Sequence, residues 1–359
     1  MYEQIQIFKW LRQAAKKGAQ IDMASSAVPS VTASELGLDG ADFPIYDGAN
    51  SPLHFPQLRE MLAARYRIHV DMIALSSAAS GANFLVPAAV LRPGDEALAE
   101  KPYYEPQWRS AQVSGAKINF FRRRPEDNFR LNPDEVRRAI TSRTRLIIMS
   151  NPHNPSMQQA DEADITAVAD IAAENDAYLL IDEVYRELFF DSIQDTAVKL
   201  RDNIIVTSSF SKALGLQGPR IGWVLAPKET ILEVWKVLEH ISVIIPTPSA
   251  HLLARALERE ATLQARAQVY IEGKADIIRR WAQKRGDIKY FEPSAGANVL
   301  TGLPEGIDSM RFCNRLVEER GVMVDPGDLF GIPGYIRMSL MESPGKIEQA
   351  LEAIDTLLE

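Results

Sequence analysis

Short apolar runs alternate with longer amphipathic stretches between residues 75 and 223. Three of these runs, RLIIMS, AYLLID and NIIVTSS, are rich in aliphatic and β-branched residues and predict strands. The stretch DITAVADIAAEND places Ile165, Val168 and Ile171 along one helical face, with Asp164 as the expected cap. Apolar strands that alternate with helices are typical of βαβ units, so the pattern predicts a buried, mostly parallel sheet.

The pattern changes after about residue 246. Long helical stretches come first, and shorter strand candidates follow in IKYFE, GANVLTG and YIRMSL before a terminal helix. This order predicts a second, smaller α+β domain. We therefore expect three parts: an N-terminal helix and arm that join the small domain (1–44), a large domain (45–245) and the C-terminal small domain (246–359).

The N-terminal segment has Ile7, Phe8, Leu11 and Ala15 at helical spacing, interrupted by charged and polar residues. It predicts an amphipathic helix and neither a signal peptide nor a membrane span, because it has no uninterrupted apolar core. The longest apolar run elsewhere, around FLVPAAVL, is too short to cross a bilayer. With one cysteine, Cys313, in 359 residues, no disulfide framework is expected, and we predict a cytoplasmic protein.

Composition argues against two further classes of function. The formal net charge is −8, which does not suit a nucleic-acid-binding surface. The five histidines lack the spacing of a metal site and there is no cysteine–histidine cluster, so no metal is expected. The chemistry is therefore sought among other polar residues.

Polar residues follow several predicted strands at the points where those strands end. In open parallel sheets, ligands bind outside the carboxyl ends of the strands. The candidates are Ala79 and Ser80 in the loop SAASGANFLV, Asn154 in NPHNPS, Asp182 and Tyr185 in IDEVY, and Ser209, Ser211, Lys212 and Arg220 in SSFSKALGLQGPR. Each feature alone is a weak signal, but their common position at one sheet edge predicts a single site.

Pyridoxal phosphate catalysis uses all of these groups. A lysine amine can form a Schiff base with the cofactor aldehyde, and a carboxylate can keep the pyridine nitrogen protonated so that the ring accepts electrons. A helix N-terminus, hydroxyl groups and an arginine can bind the phosphate. The tyrosines of KPYYEP, which follow another predicted strand, can stack on the ring.

The segments NPHNPS, IDEVY and SSFSKALGLQGPRIGW resemble signature segments of the class I/II aminotransferases, which are fold-type I pyridoxal-phosphate enzymes. LRPGDEALAEKPYY and VDPGDLFGIPGYIRMSL match two more segments, so the resemblance spans nearly the whole chain. It implies an α/β large domain with a mostly parallel sheet of seven strands between helices, and a smaller α+β domain. It also implies transfer of an amino group between an α-amino acid and an α-keto acid.

The resemblance assigns roles to individual residues. Lys212 would be the Schiff-base lysine and proton carrier, and Asp182 would pair with the pyridine nitrogen. Tyr185 and Asn154 would contact the phenolic oxygen of the cofactor. The phosphate would be bound by Ser209, Ser211, Arg220 and the backbone of Ala79 and Ser80.

Further roles concern the ring face, the substrate and a partner subunit. Tyr104 would stack on the ring, with Tyr103 as the alternative. Arg337 in YIRMSL would bind the substrate α-carboxylate through a two-bonded fork, which lysine cannot reproduce. Tyr46 resembles the tyrosine that reaches the phosphate from the other subunit, which implies a homodimer with shared active sites.

Three segments depart from the family's pattern. Ala78 stands where the phosphate loop usually has glycine, so the turn is expected to avoid a strained φ. Met157 replaces the glycine that usually closes the Asn-Pro turn. Ser25 and Ser26 stand where a glycine-rich turn is more typical, in a segment that commonly covers the substrate and in which Ala27 is a candidate substrate contact.

An alternative outcome of the same chemistry is β-elimination. The N-terminal pattern FKWLRQAAKKGAQIDMASSAVP is also similar to capreomycidine synthase, a relative that eliminates a β-substituent and closes a ring. Elimination usually needs an acid, and Ser25, Ser26 and His153 are the candidates. A non-catalytic regulator is disfavoured by the intact lysine and aspartate. No second arginine can be assigned to a side-chain carboxylate, so an aspartate-type substrate is not favoured.

Overall fold

The structure, a computed structural model, describes residues 3–38, 55–189, 195–242 and 244–359. The helices are α1 (Gln6–Lys16), α2 (Pro56–Tyr66), α3 (Ala78–Val90), α4 (Glu105–Val113), α5 (Pro133–Ala139), α6 (Glu162–Ala173), α7 (Lys228–Glu239), α8 (Thr247–Glu258), α9 (Glu260–Ile271), α10 (Lys274–Arg285), α11 (Ser309–Arg320) and α12 (Pro344–Leu358). The strands are β1 (Ile21–Asp22), β2 (Ile73–Ser76), β3 (Glu96–Lys101), β4 (Lys117–Arg122), β5 (Thr144–Ser150), β6 (Tyr178–Asp182), β7 (Ile204–Ser208), β8 (Gly222–Leu225), β9 (Lys289–Tyr290), β10 (Asn298–Gly302), β11 (Val322–Met323), β12 (Asp325–Pro326) and β13 (Tyr335–Ser339).

The large sheet has seven strands in the order β2-β8-β7-β6-β5-β3-β4. Neighbouring strands from β7 to β4 are parallel, and β8 runs antiparallel to both of its neighbours. Alternate residues of one strand enter different apolar clusters: Ile147 packs with α2 and α6, and Ile148 packs with α3 and α7. Since both faces are covered, the central strands β5, β6 and β7 are mostly apolar, and the predicted mostly parallel sheet is confirmed.

One helix begins differently from the prediction. The helix α6 starts at Glu162, with Asp161 at the capping position and no side-chain cap bond. Asp164, the expected cap, lies in the first turn, and its Oδ2 accepts a hydrogen bond of 3.1 Å from Nε of Arg130. A carboxylate there still interacts favourably with the helix dipole, but the prediction of Asp164 as the cap is wrong.

A smaller antiparallel sheet, β12-β13-β10-β9, packs with α1, α10, α11 and α12 around a separate apolar cluster. Ile7, Trp10 and Ala14 of α1 lie in this cluster, so the N-terminal helix packs on the small sheet. Leu253 and Leu263, from α8 and α9, lie instead in the cluster beneath the large sheet. The proposed domain boundary at residue 246 therefore stays a prediction.

Candidate active site

The strands β2, β5, β6 and β7 end at one edge of the large sheet, next to a cavity of about 220 Å³. Parallel strands bring their carboxyl ends together, which explains why loops far apart in sequence meet here. Ten of the predicted residues line the cavity: Ala79, Ser80, Tyr104, Asn154, Asp182, Tyr185, Ser209, Ser211, Lys212 and Arg220.

The carboxylate of Asp182, at the end of β6, accepts three hydrogen bonds from neighbouring residues. Its Oδ2 accepts hydrogen bonds from Nδ2 of Asn83 (2.7 Å) and Nε2 of Gln107 (3.0 Å), and its Oδ1 accepts one from the N–H of Val184 (3.0 Å). Thr207 donates to Oδ1 of Asn83 (2.7 Å), which fixes the orientation of that amide. Burial raises the pKa of Asp182, and these hydrogen bonds oppose the rise. A cation facing this carboxylate would favour its charged form.

Lys212 and Tyr185 are joined by a serine hydroxyl. Nζ of Lys212 donates to Oγ of Ser26 over 3.1 Å, and Oγ of Ser26 lies 2.8 Å from the hydroxyl of Tyr185. Ser26 and Tyr185 are buried, whereas Lys212 is half-buried at the cavity wall. The amine, the hydroxyl and the phenol therefore form one hydrogen-bonded chain.

The segment from residue 23 to 31 holds Ser26 between the two sheets. The carbonyl of Met23 accepts a hydrogen bond of 2.7 Å from the N–H of Ser339 on β13. The N–H of Val28 donates over 2.9 Å to the carbonyl of Lys212, beyond β7. The position of Ser26 therefore depends on both the small sheet and the lysine loop.

The corner of the cavity beside α3 has the groups needed to bind a phosphate. The N–H groups of Ala79 and Ser80 lie in the first turn of a 13-residue helix that no side chain caps. The N–H of Ser211 donates to Oγ of Ser209 over 3.4 Å, while Oγ of Ser211 is buried without a partner among the described residues. Arg220 is exposed at the cavity and adds a positive charge.

Two residues adopt a left-handed backbone where the family usually has glycine. Ala78 has φ +60° and Met157 has φ +57°. The expectation that the Ala78 turn avoids a strained φ is therefore wrong: the chain keeps glycine's conformation and tolerates the crowding at Cβ.

Gly222 explains why the loop at Ala78 has little freedom to relax. A Cβ atom at Gly222 would lie 2.5 Å from the carbonyl carbon of Ala78 and 2.7 Å from the backbone nitrogen of Ala79. Because β8 passes so close to the phosphate loop, the fold fixes the loop's path whatever residue occupies position 78.

Of the two tyrosines in KPYYEP, Tyr104 lines the cavity. Its neighbour Tyr103 packs instead against Trp108 and Phe120, with ring centroids 5.6 and 5.5 Å apart. Burial raises the pKa of Tyr104, so its hydroxyl stays protonated at neutral pH. The geometry favours Tyr104 over Tyr103 as the stacking residue.

Arg337 lies behind Asn154, outside the cavity wall, and its guanidinium contacts two polar side chains and an aromatic ring. Nη1 donates to Oδ1 of Asn154 (2.8 Å), while Nε and Nη2 both donate to Oδ2 of Asp325 (3.0 and 2.5 Å). The ring of Phe330 packs on the guanidinium at 4.6 Å. The Nε–Nη2 edge of the guanidinium that is predicted to bind a substrate carboxylate is thus already bonded to the carboxylate of Asp325.

His153, a candidate acid for elimination, does not reach the cavity. Its ring is fully buried, with Nδ1 2.6 Å from Oγ of Ser156 and Nε2 2.9 Å from the carbonyl of Pro102. Burial and the nearby Arg123 push its pKa well below the usual value, so the ring stays neutral. Its role is to hold the Asn154 loop, and the suggestion that it acts as an acid is wrong.

The remaining candidates are placed less directly. Tyr46 lies outside the described residues. Ala27 is buried next to Ser26 but does not line the cavity, and Ser25 is exposed. Of the three serine and histidine candidates for an acid, Ser26 alone contacts the predicted catalytic groups.

Sequence reasoning missed four residues of the site. Asn83 and Gln107 bind the Asp182 carboxylate, Asp325 binds Arg337, and Phe8 of α1 lines the cavity. Asn83 had a visible signal, since it is a polar residue inside the apolar helix sequence ANFLV. The other three could not be recognised from the sequence, because their contacts with the site depend on how the helices and strands pack.

Comparison with known proteins agrees with this geometry. The family model described as "Aminotransferase class I and II" matches residues 42–354. The chain belongs to this family. The aminotransferase is 30% identical over 320 residues to an aspartate aminotransferase of Pyrococcus horikoshii, a match that covers 85% of this chain and 81% of that protein.

Two further matches show how far the similarity extends. The aminotransferase is 28% identical to capreomycidine synthase of Streptomyces vinaceus, across 96% of this chain and 91% of that protein. It superimposes on a PLP-dependent aminotransferase from Streptococcus suis with a TM-score of 0.91 and 23% identity, covering 99% and 97% of the two chains. The predicted fold and enzyme class are confirmed.

The cofactor of this family is pyridoxal phosphate, and the cavity fits it. The unpartnered hydroxyl of Ser211 and the uncapped first turn of α3 suit the phosphate, and the buried Asp182 suits a protonated ring nitrogen. Among the helices that the structure describes, none has the length and apolar character needed to span a membrane.

Proposed function

We propose that this aminotransferase transfers the amino group of an α-amino acid to an α-keto acid, with Lys212 as the amine that holds the cofactor and moves the proton. The observation that carries the proposal is the placement of Lys212 and Asp182 on the wall of one cavity, with phosphate-binding groups at its corner. When bound, pyridoxal phosphate supplies an aldehyde for amines and a ring that accepts electrons.

Asp182 would supply the negative charge that keeps the ring nitrogen of the bound cofactor protonated. Asn83 and Gln107 orient its carboxylate, so it meets a cation without having to rearrange. Tyr185 and Asn154 lie on the cavity wall and would donate hydrogen bonds to the phenolic oxygen of the cofactor, and Tyr104 would stack on its ring.

The phosphate is assigned to the corner of the cavity next to α3. Ala79 and Ser80 offer backbone N–H groups, Ser209 and Ser211 offer hydroxyls, and Arg220 offers a charged fork. Together these groups would balance the charge of a phosphate dianion at the edge of the sheet, on the cavity that Lys212 also lines.

Lys212 would take the proton from the substrate α-carbon and would return it to the aldehyde carbon of the cofactor. The hydroxyl of Ser26 holds the amine at 3.1 Å and links it to Tyr185, so the base has a defined direction. Arg337, backed by Asn154, is assigned to the substrate α-carboxylate.

Three finer statements belong to the same proposal. The protein acts as a homodimer in which Tyr46 of each subunit reaches the other's phosphate, as the resemblance around YDGANSPLHFP implies. It works in the cytoplasm, in keeping with a lone buried Cys313. An aspartate-type substrate, as in the name of the Pyrococcus relative, is not favoured, because the sequence pattern assigns no second arginine to a side-chain carboxylate.

A panel of single amino acids tests the function. The cofactor-loaded protein should convert to the amine form of the cofactor with ordinary α-amino acids, and an α-keto acid should restore the starting spectrum. Borohydride reduction and peptide mapping should place the cofactor on Lys212, with Lys199 unlabelled as the control. If ordinary amino acids leave the spectrum unchanged while a β-substituted one releases its substituent, the elimination reading replaces this one.

A further inference from the structure

The guanidinium of Arg337 is paired with a carboxylate of the same sheet. Asp325 on β12 lies directly opposite Arg337 on β13 in the antiparallel register, so the two side chains share one face. Oδ2 of Asp325 accepts from both Nε and Nη2, at 3.0 and 2.5 Å. Asp325 is fully buried, so solvent screens this attraction little.

The other side of the guanidinium faces the cavity wall. Nη1 donates to Asn154, which lines the cavity, and Nη2 makes a longer contact of 3.4 Å with the carbonyl of Ala24. The Nε–Nη2 edge belongs to Asp325, so a substrate carboxylate would have to bind at the Nη1–Nη2 end, in place of the longer contact with Ala24. Both carboxylates would then share one positive charge.

The second oxygen of Asp325 makes the carboxylate depend more strongly on Arg337. Oδ1 is buried and has no hydrogen-bond partner among the described residues. The carboxylate is therefore stabilised mainly through Arg337, whose charge it already balances. A guanidinium that is balanced in this way attracts an incoming anion less strongly than a free one does.

We propose that Asp325 is a specificity-determining residue that makes the site select amino acids with a single carboxylate and a neutral or cationic side chain. The proposal rests on the proposed function in one respect, that Arg337 binds the substrate α-carboxylate. One carboxylate leaves the Arg337–Asp325 pair with one excess negative charge. A second carboxylate on the same substrate adds another within the same enclosed site, where like charges repel strongly.

The test compares ligands that differ in one charge and little in shape. Succinamate and succinate are isosteric, and calorimetry on the cofactor-loaded protein at pH 7.5 measures the affinity of each without turnover. The wild-type protein should bind succinamate at least ~10-fold more tightly than succinate, and Asp325→Asn should reduce that ratio at least ~5-fold, since one pair of like charges is removed. Asp328→Asn is the matched control. Asp328 lies three residues after Asp325, and its carboxylate accepts a hydrogen bond from Ser309. Removing its charge should change the affinity ratio less than ~2-fold.

Turnover provides an independent second readout. The ratio of kcat/KM for glutamine and glutamate should shift in Asp325→Asn in the same direction as the binding ratio. If the binding ratio shifts but no amino acid of the panel converts the cofactor to its amine form, the proposed catalytic roles fail and the Asp325 assignment stands. An unchanged binding ratio in Asp325→Asn overturns the assignment. Equal affinity of the wild-type protein for succinamate and succinate also overturns it, and this result does not require the variant to fold.

Discussion

Nζ of Lys212 donates a hydrogen bond of 3.1 Å to Oγ of Ser26. This contact links the predicted catalytic base to a residue that stands where the family more typically has glycine. Because Ser26 also lies 2.8 Å from the hydroxyl of Tyr185, its loss would free both groups at once.

Ser26→Ala should therefore slow proton removal more than it weakens binding. We expect the exchange of the substrate α-hydrogen with deuterated solvent, followed by NMR, to slow at least ~10-fold, with KM changed less than ~3-fold. Ser26→Thr, which keeps a hydroxyl, should recover most of the rate. Ser30→Ala is the matched control, since Ser30 is exposed in the same segment. A loss confined to KM would show that Ser26 acts only in binding.

Asp182→Asn should weaken catalysis without preventing folding. The amide keeps the size of the carboxylate but loses its charge, and its carbonyl oxygen can still accept the hydrogen bonds from Asn83 and Gln107. We expect the half-reaction rate to fall at least ~10²-fold in protein whose cofactor content is checked by absorbance. Asp161→Asn, on the surface, is the control. Near-normal rates in the loaded variant would remove Asp182 from the mechanism.

The two left-handed residues should respond oppositely to glycine. Ala78→Gly relieves a φ of +60° and removes only a methyl group, so the free energy of unfolding should rise by up to about 1 kcal/mol. Met157→Gly relieves a similar φ but leaves a cavity at a fully buried site, so the free energy of unfolding should fall by about 2 kcal/mol or more. Urea denaturation of the cofactor-free protein measures both. Changes of the same sign would contradict the assignment of strain at Ala78.

Carboxylate binding should depend on pH through Asp325. Burial raises its pKa to about 6, opposed by Arg337 and reinforced by Asp22. Below this pH Asp325 is neutral, so the positive charge of Arg337 is available to the ligand carboxylate. As the pH rises through 6, Asp325 ionises and competes with the ligand for that charge. The dissociation constant of succinamate should therefore increase between pH 5 and 7.5 in the wild-type protein and change less in Asp325→Asn. The charged or titratable groups near Asp325, which both proteins share, are Asp22, Tyr104, Lys212, Cys313 and Arg337.

The sequence predicted those features that depend on local pattern. Lys212 and Asp182 could be located because each follows an apolar strand, and parallel strands end at one edge. The φ of Ala78 could not be predicted, because it depends on how closely Gly222 approaches from β8. Asp325 gave no signal either: it matters only because the small sheet's register sets it opposite Arg337.

The segment from residue 23 to 31 also has a practical consequence. Its backbone joins Ser339 of the small sheet to the carbonyl of Lys212, and it carries Ser26 between them. Any rotation of the small sheet against the large one would pull on this segment and so reposition the hydroxyl beside the amine. Arg337 lies on the same strand as Ser339, so this segment is a main-chain connection between that strand and the hydroxyl beside the amine.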